Sequence, residues 1–496
     1  MIRHLLVLVV FLAAPAAAQP RGVQPETLVP YLEQARQDWE APGLAVAIVK
    51  DDSVVFARGF GVRERGGTAP VDARTLFLLA STTKAFTAAA LGLLVDEGRL
   101  KWDDPVTKYL PSFELQDPYV TREITIRDLL SHHTGLTRAD DLWWASSFDR
   151  KEIVRRLRNV TPAGSFRATY GYNNNLFITA GEVVTAASGT TWDAFVRRRL
   201  LEPLGMRATN TSILDLPPLG NVATPHARLD GEVTPIPWRN FDNLGGAGSM
   251  NSSVYEMAQW LRMLLGGGLY EGRRILSEEV VRELQASQTV IRITEDYAKR
   301  YPSSHFRAYG LGWFLHDYRG VKVVQHSGSL DGMRARVGMI PERNLGVVLL
   351  TNLSESSLLE ALLMRIFDAY LDAPPRDWSA ELLAERKTER DRDQARQDSV
   401  TAARIPDVSP ALPLSAYAGL YTHPLYGDLE LTEEGGGLVL RFGPSYTGDL
   451  TPWHYETFRA TWRDAYMGKS FITFTLNAAA KVETVIVEGL GTFKRP

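Results

Sequence analysis

Residues 75–98 read TLFLLASTTKAFTAAALGLLVDEG. After Ser81 the apolar residues fall at helical spacing and Gly98 supplies a C-cap, so the stretch predicts one long buried helix. Just upstream, residues 44–50 and 54–58 are two β-rich runs joined by Asp51, Asp52 and Ser53, the pattern of a hairpin. A strand pair therefore leads into a buried helix, and the helix opens on Ser81, Thr82, Thr83 and Lys84, the only Ser-x-x-Lys in the chain. At i and i+3 the two side chains share a face, which brings the lysine amine within hydrogen-bond reach of the serine hydroxyl. The field at a helix N-terminus favours negative charge developing on the serine oxygen. An enclosed lysine beside other donors can have its pKa depressed far enough to accept a proton.

Farther along, residues from about 100 to 290 alternate short amphipathic helices with loops such as Asp104-Pro105 and Ala163-Gly164. The β signal returns in four short runs around Trp313, Val323, Val337 and Val348, and a helix follows over about 354–370. Strands at both ends with helices between predict an α/β fold of the α+β kind. One antiparallel sheet is built from distant segments, flanked by helices and carrying an inserted helical subdomain. From 372 to 410, charges crowd at 385–396 and prolines recur, which predicts a solvated linker with some helix. From 411 to 496, alternating runs at 428–432, 438–442, 471–476 and 482–487 predict a separate small antiparallel β barrel or sandwich.

At the other end, Arg3 and His4 precede an apolar run over 5–14, and Ala16, Ala17 and Ala18 give a small-x-small cleavage pattern. Residues 1–18 therefore read as a signal peptide, and 19–371 as the main domain. The apolar run is shorter than the roughly 20 residues a spanning helix needs, so no stable membrane span is expected.

The absence of cysteine from all 496 residues excludes disulfides, thiolate metal sites, a thiol nucleophile and cysteine lipidation. With 55 basic and 58 acidic residues mixed along the chain there is no field for nucleic acid, and a small-molecule or peptide substrate is the expected partner. No cofactor and no metal are expected: no His-Glu-x-x-His occurs, and His132 with His133 is only an adjacent pair. Nor is there a Gly-x-Ser-x-Gly elbow, since Gly443, Ser445, Thr447 fails at its last position. The oligomeric state is left open.

Two further motifs carry chemistry. Tyr172, Asn173 and Asn174 lie just before a helix through Ile178 and Val183. A phenol near the lysine can act as a phenolate base, and the Asn174 amide can bind a substrate carbonyl while orienting the lysine; a core tyrosine and a helix-capping asparagine are the plainer alternatives. His326, Ser327 and Gly328 end an apolar run over 321–324. There Gly328 lets substrate approach the backbone, and the Ser329 amide can supply an oxyanion donor.

Taken together and in this order, the motifs resemble those of the serine β-lactamase and penicillin-binding-protein superfamily, in the branch of class C β-lactamases, D-aminopeptidases and esterases. The matching residues include Pro42, Gly43 and Leu44; Phe77, Ala80, Ser81, Lys84 and Phe86; Asp103, Asp104 and Pro105; Ser131, His132, Thr134 and Gly135; Tyr172, Asn174 and Gly181; Tyr309, Gly310, Gly312 and Trp313; and His326, Ser327 and Gly328. The likeness spans roughly residues 28–371. It implies an acyl-enzyme on Ser81, with Lys84 as proton acceptor, Tyr172 as the base that activates alcohol or water, and Asn174 on the substrate amide. The amides of Ser81 and Ser329 would form the oxyanion hole. Class C β-lactamases have Lys-Thr-Gly where this chain has His326, Ser327 and Gly328, and a histidine holds a substrate carboxylate less firmly; Arg334 is a possible substitute cation, or else a surface side chain packed over Met333. The implied protein is an exported bacterial hydrolase of the periplasm or the exterior, cleaving an amide or ester; the alternative is a penicillin-binding sensor that acylates without turnover. The C-terminal unit resembles the lipocalin-like domain that often follows this hydrolase, through residues 412–421, Tyr426 with Gly427, and 453–458. It is expected to modulate the site rather than build it.

Overall fold

The computed structural model describes residues 23–216, 220–354 and 357–496; the leader read at 1–18 lies outside them. Asp51 and Asp52 take φ of 49° and 59°. Two left-handed residues in succession give a turn whose twist matches the flanking strands. The hairpin turn therefore needs only those two residues, and Ser53 already opens the second strand: β1 (Gly43–Lys50) pairs with β2 (Ser53–Gly61).

From edge to edge the main sheet runs Ser53–Gly61, Gly43–Lys50, Leu345–Thr351, Met333–Ile340, Val321–Leu330, Phe314–Tyr318, Arg307–Tyr309 and Thr289–Val290, every neighbour antiparallel. Both faces of β1 are buried. Leu44, Val46 and Ile48 join the core under the terminal helices Val29–Asp38 and Leu358–Tyr370. Ala45, Ala47 and Val49 face the helical side, where Val49 sits opposite Gly346 and a side chain at Gly346 would meet Leu261 of the Val254–Leu265 helix. Between the sheet and the helical subdomain lies the Thr83–Asp96 helix, buried over nearly its whole length because apolar residues occupy every face. Gly98 follows it at φ 68°.

The stretch expected as a linker is mostly one α-helix, Trp378–Ala402. The reason is chemical: from 378 to 402 there is no Gly or Pro, and Glu, Arg, Ala and Gln are good helix formers. Its first turns are anchored, with Trp378 buried and its Nε1 donating to Asp368 Oδ2 at 2.7 Å. Beyond Glu385, which pairs with Arg300, the helix is largely exposed and supported by local pairs such as Gln394 to Asp398 at 2.8 Å.

The C-terminal segment forms a closed barrel of eight sequential strands. Four of them, Gly427–Glu434, Gly437–Phe442, Lys469–Leu476 and Val482–Val487, fall on the alternating runs. Of the other four, Tyr446–His454 contains Gly448 and Pro452 and a register shift after Pro452. Aromatic side chains fill the interior, with Tyr417 and Phe474 at 4.8 Å and Phe442 and Phe493 at 5.6 Å between ring centres. The barrel is a packed core, as its strand number allows.

Candidate active site

Ala80–Thr82 form a 3-10 turn, and the α-helix begins only at Thr83. Ala80 has φ of 48°, a left-handed conformation costing about 1–2 kcal/mol for a residue with a Cβ. Lys84, three residues on in the first turn of the α-helix, lies on the same face as Ser81, with Nζ to Oγ at 3.1 Å.

Lys84 is 0% exposed. Its Nζ also lies 2.7 Å from Asn174 Oδ1 and 2.8 Å from the Ala247 carbonyl oxygen. Burial holds its pKa well below the usual lysine range, with Arg138 adding to the effect and Asp140 opposing it. A neutral amine has two hydrogens and one lone pair. With burial favouring the deprotonated form, the two carbonyl oxygens would keep its hydrogens and the lone pair would turn to the Ser81 hydroxyl, whereas a protonated Lys84 donates to all three oxygens.

Ala247 was not identified from the sequence. It sits in the run Gly245, Gly246, Ala247, Gly248, and a Cβ at Gly246 would lie 2.8 Å from Thr87 Oγ1 and 3.0 Å from the Phe177 carbonyl. The glycine lets this backbone press between two helices, and a glycine cluster between helical patterns was the available signal.

The three consecutive asparagines have different tasks. Asn173 caps the Asn174–Ser188 helix, its Oδ1 accepting from the Leu176 amide at 3.2 Å. Asn175 holds the carbonyls of Arg138 and Ala139 at 2.9 and 3.1 Å. Asn174 takes Lys84 on its oxygen and gives its amide hydrogen to Asp140 Oδ1 at 3.0 Å. Both polar ends of Asn174 are thus engaged within the protein.

The Tyr172 phenol faces the Ser81 hydroxyl, and burial raises its pKa above the ordinary phenol range against the pull of that bond and of Arg138. Its ring lies 4.9 Å from Lys84 Nζ and stacks at a tilt on His132, 4.2 Å between centres. His132 is buried in a left-handed C-cap at φ 57°, and its Nδ1 accepts from the Asn173 amide at 3.2 Å, so its hydrogen is on Nε2. It forms the back wall behind Tyr172. His133 points elsewhere, to Asp128 Oδ1 and Thr289 Oγ1, each at 2.6 Å.

On the sheet side, the Val321–Leu330 strand pairs with Phe314–Tyr318 only as far as Gln325. Residues 326–330 therefore have one edge that this neighbour leaves unpaired. Gly328 presses on the turn that carries Ser81: a Cβ there would stand 2.1 Å from the Leu79 carbonyl. The structure thus gives Gly328 a packing reason, where the sequence pointed to substrate approach. Ser327 and Ser329 are exposed beside it. His326 is 1% exposed; its Nδ1 donates to the Ser327 carbonyl at 2.7 Å, which leaves Nε2 to accept from Tyr309 OH at 2.9 Å. Burial, with Lys84 nearby, lowers the His326 pKa to about 3, so the ring is neutral at physiological pH. Arg334 shares a strand face with Arg336, opposite the face of Val337 that pairs with His326, and bonds the carbonyls of Leu330 and Met333 at 3.0 and 2.9 Å. The structure brings Ser81, Lys84, Tyr172, Asn174 and His326 together and directs Arg334 away from them.

This fold and cluster are those of the β-lactamase and penicillin-binding-protein-like serine hydrolases. The chain belongs to that superfamily: the Beta-lactamase family matches residues 31–371, and a domain of unknown function, DUF3471, matches 403–494. Unguisins hydrolase ungD of Aspergillus violaceofuscus is 31% identical over 433 residues, covering 80% of this chain and 75% of the relative. Penicillin-binding protein 4 of Amycolatopsis lactamdurans is 28% identical over 331 residues, covering 64% of this chain and 82% of its own. Among solved structures, the octameric penicillin-binding protein homologue from Pyrococcus abyssi aligns with a TM-score of 0.63 at 23% identity, over 95% of this chain and all of that one.

Proposed function

We propose that the protein is an exported serine hydrolase, acylated on Ser81, that cleaves an amide or ester. The proposed organisation is a leader at 1–18, a hydrolase domain at 19–371, a connector at 372–410 and a barrel domain at 411–496. The observation that carries the reading is the placing of Lys84, a buried amine whose Nζ lies 3.1 Å from Ser81 Oγ and has two carbonyl oxygens as its other partners, so that on losing a proton it can turn its lone pair to that hydroxyl.

In the proposed reaction Lys84 Nζ takes the proton of Ser81 as Oγ bonds to the substrate carbonyl carbon. The developing oxyanion meets the amides of Ser81 and Ser329. Tyr172, resting as a neutral phenol, gives its proton to the leaving nitrogen or oxygen as the carbonyl–leaving-group bond breaks, and regains one from Lys84. Water then gives a proton to the same pair and attacks the acyl group, and Ser81 leaves with its proton restored. Asn174 acts mainly as the anchor of Lys84.

His326 offers no cation, because both nitrogens are bonded internally. That weighs against substrates held by a carboxylate at this strand, among them β-lactams and peptides with a free C-terminus, and favours amides or esters without one. The name of the Unguisins hydrolase relative accords with hydrolysis.

The test is a panel of nitrophenyl esters, D-amino acid amides and nitrocefin on purified protein. Turnover of the ester or amide, slow action on nitrocefin, and a loss of about 10³-fold or more in Ser81→Ala are expected. Full activity in Ser81→Ala would sink the proposal. One equivalent released and then nothing would identify a sensor instead.

A further inference from the structure

Two sets of contacts tie the C-terminal barrel to opposite walls of the Ser81 site. On the lysine side, Tyr446 of the barrel donates to Asp141 Oδ1 at 2.9 Å, and Asp141 adjoins Asp140, which holds Asn174. On the strand side the centre is Arg239. Its Nε donates to Asp331 at 2.8 Å, Nη1 to Ser445 Oγ at 2.7 Å and Nη2 to Asp464 at 2.6 Å. The guanidinium stacks 4.7 Å from the Trp144 ring, and Trp144 Nε1 donates to Asp331 at 3.1 Å.

Asp331 is the tip of the hairpin between Val321–Leu330 and Met333–Ile340, two residues past Ser329. The main domain holds this tip by close packing, with the Gly332 carbonyl accepting from the His226 amide at 3.1 Å and a Cβ at Gly332 placed 2.2 Å from Pro225. The Asp331 side chain is held by Trp144 Nε1 and by Arg239, and Arg239 links it to the barrel. Side-chain exposures of 13% for Arg239 and 9% for Asp331 leave the pair largely dehydrated, where a charge-assisted bond is strong and its loss costly.

We infer that Arg239 is a positioning residue: the docked barrel, through Asp464 and Ser445, fixes Arg239, which holds Asp331 and thereby the Ser329 amide at its working distance from Ser81. This rests on the oxyanion role proposed for Ser329. A misplacement of about 1 Å in such a site can cost 10²-fold in rate.

The test compares Arg239→Ala, Arg239→Lys, Asp464→Asn and Arg239→Ala/Asp464→Asn in the full chain. Three quantities are read: single-turnover acylation by a nitrophenyl ester, hydrogen exchange of peptides spanning 326–333, and exchange of the barrel core at 438–442. Arg239→Ala is expected to slow acylation about 10- to 100-fold and to speed exchange at 326–333 with the barrel core unchanged. Asp464→Asn is expected to move both in the same direction by less, Arg239→Lys to restore part of the rate, and the double variant to match Arg239→Ala. If Arg239→Ala fails to fold, Asp464→Asn decides. Wild-type acylation in the folded variants overturns the inference, whether or not exchange rises. If the wild-type chain itself never acylates, the functional proposal fails, and unchanged exchange at 326–333 would still overturn this one.

Discussion

Replacing Lys84 with methionine is expected to slow acylation of Ser81 by about 10³-fold or more while the chain stays folded. The serine hydroxyl is a poor nucleophile at its own pKa, and the structure brings the buried Lys84 nitrogen against it at 3.1 Å. Methionine keeps the volume of the stem and removes that base. The stability change has a definite sign with pH. In the unfolded chain Lys84 titrates near the usual 10.5, whereas burial holds it well below that in the fold. Between those two values the unfolded state binds more protons, so stability rises with pH and Lys84 weighs most against the fold at the acid end. The methionine variant leaves two carbonyls unpaired, a cost that pH does not change. Its Tm relative to wild type should therefore improve steadily as pH falls below 10.5; a constant difference across pH 6–10 would show that Lys84 is charged in the fold.

Tyr172→Phe is expected to separate two classes of substrate. The ring contacts with His132 survive, and only the proton carrier is lost. Nitrophenolate leaves without protonation, so ester acylation should fall only a few-fold. An amine cannot leave unprotonated, so amide cleavage should fall by about 10²–10⁴-fold. Equal losses on both would show that Tyr172 acts on the nucleophile. His326, neutral down to a pKa of about 3, should add no inflection to either pH profile between 5 and 8.

The parts legible in the sequence were those set by periodicity and spacing: the hairpin, the buried helix, the Ser81–Lys84 pair and the strand through His326. What escaped was decided by backbone geometry. Ala247 contributes only a carbonyl, so no side chain advertises it. The 3-10 turn at Ala80–Thr82 depends on a left-handed alanine that composition does not reveal. The linker is read with some helix, but the extent of the helix at 378–402 is not legible, because a charge run suits a solvated coil and an exposed helix equally well. The packing of Gly328 on Leu79 also has no sign in the sequence, where the glycine reads only as room for substrate. Arg239 had no local signal at all, since its partners at 331, 445 and 464 meet only in three dimensions.

The most direct test of the central claim is to mix the protein with an activated nitrophenyl ester, quench in acid during turnover and map the adduct by peptide mass spectrometry. The acyl group is expected on the peptide containing Ser81, absent in Ser81→Ala and accumulating far more slowly in Lys84→Met. Continued hydrolysis with the adduct on another residue, or with no adduct and no loss of activity in Ser81→Ala, would contradict the account.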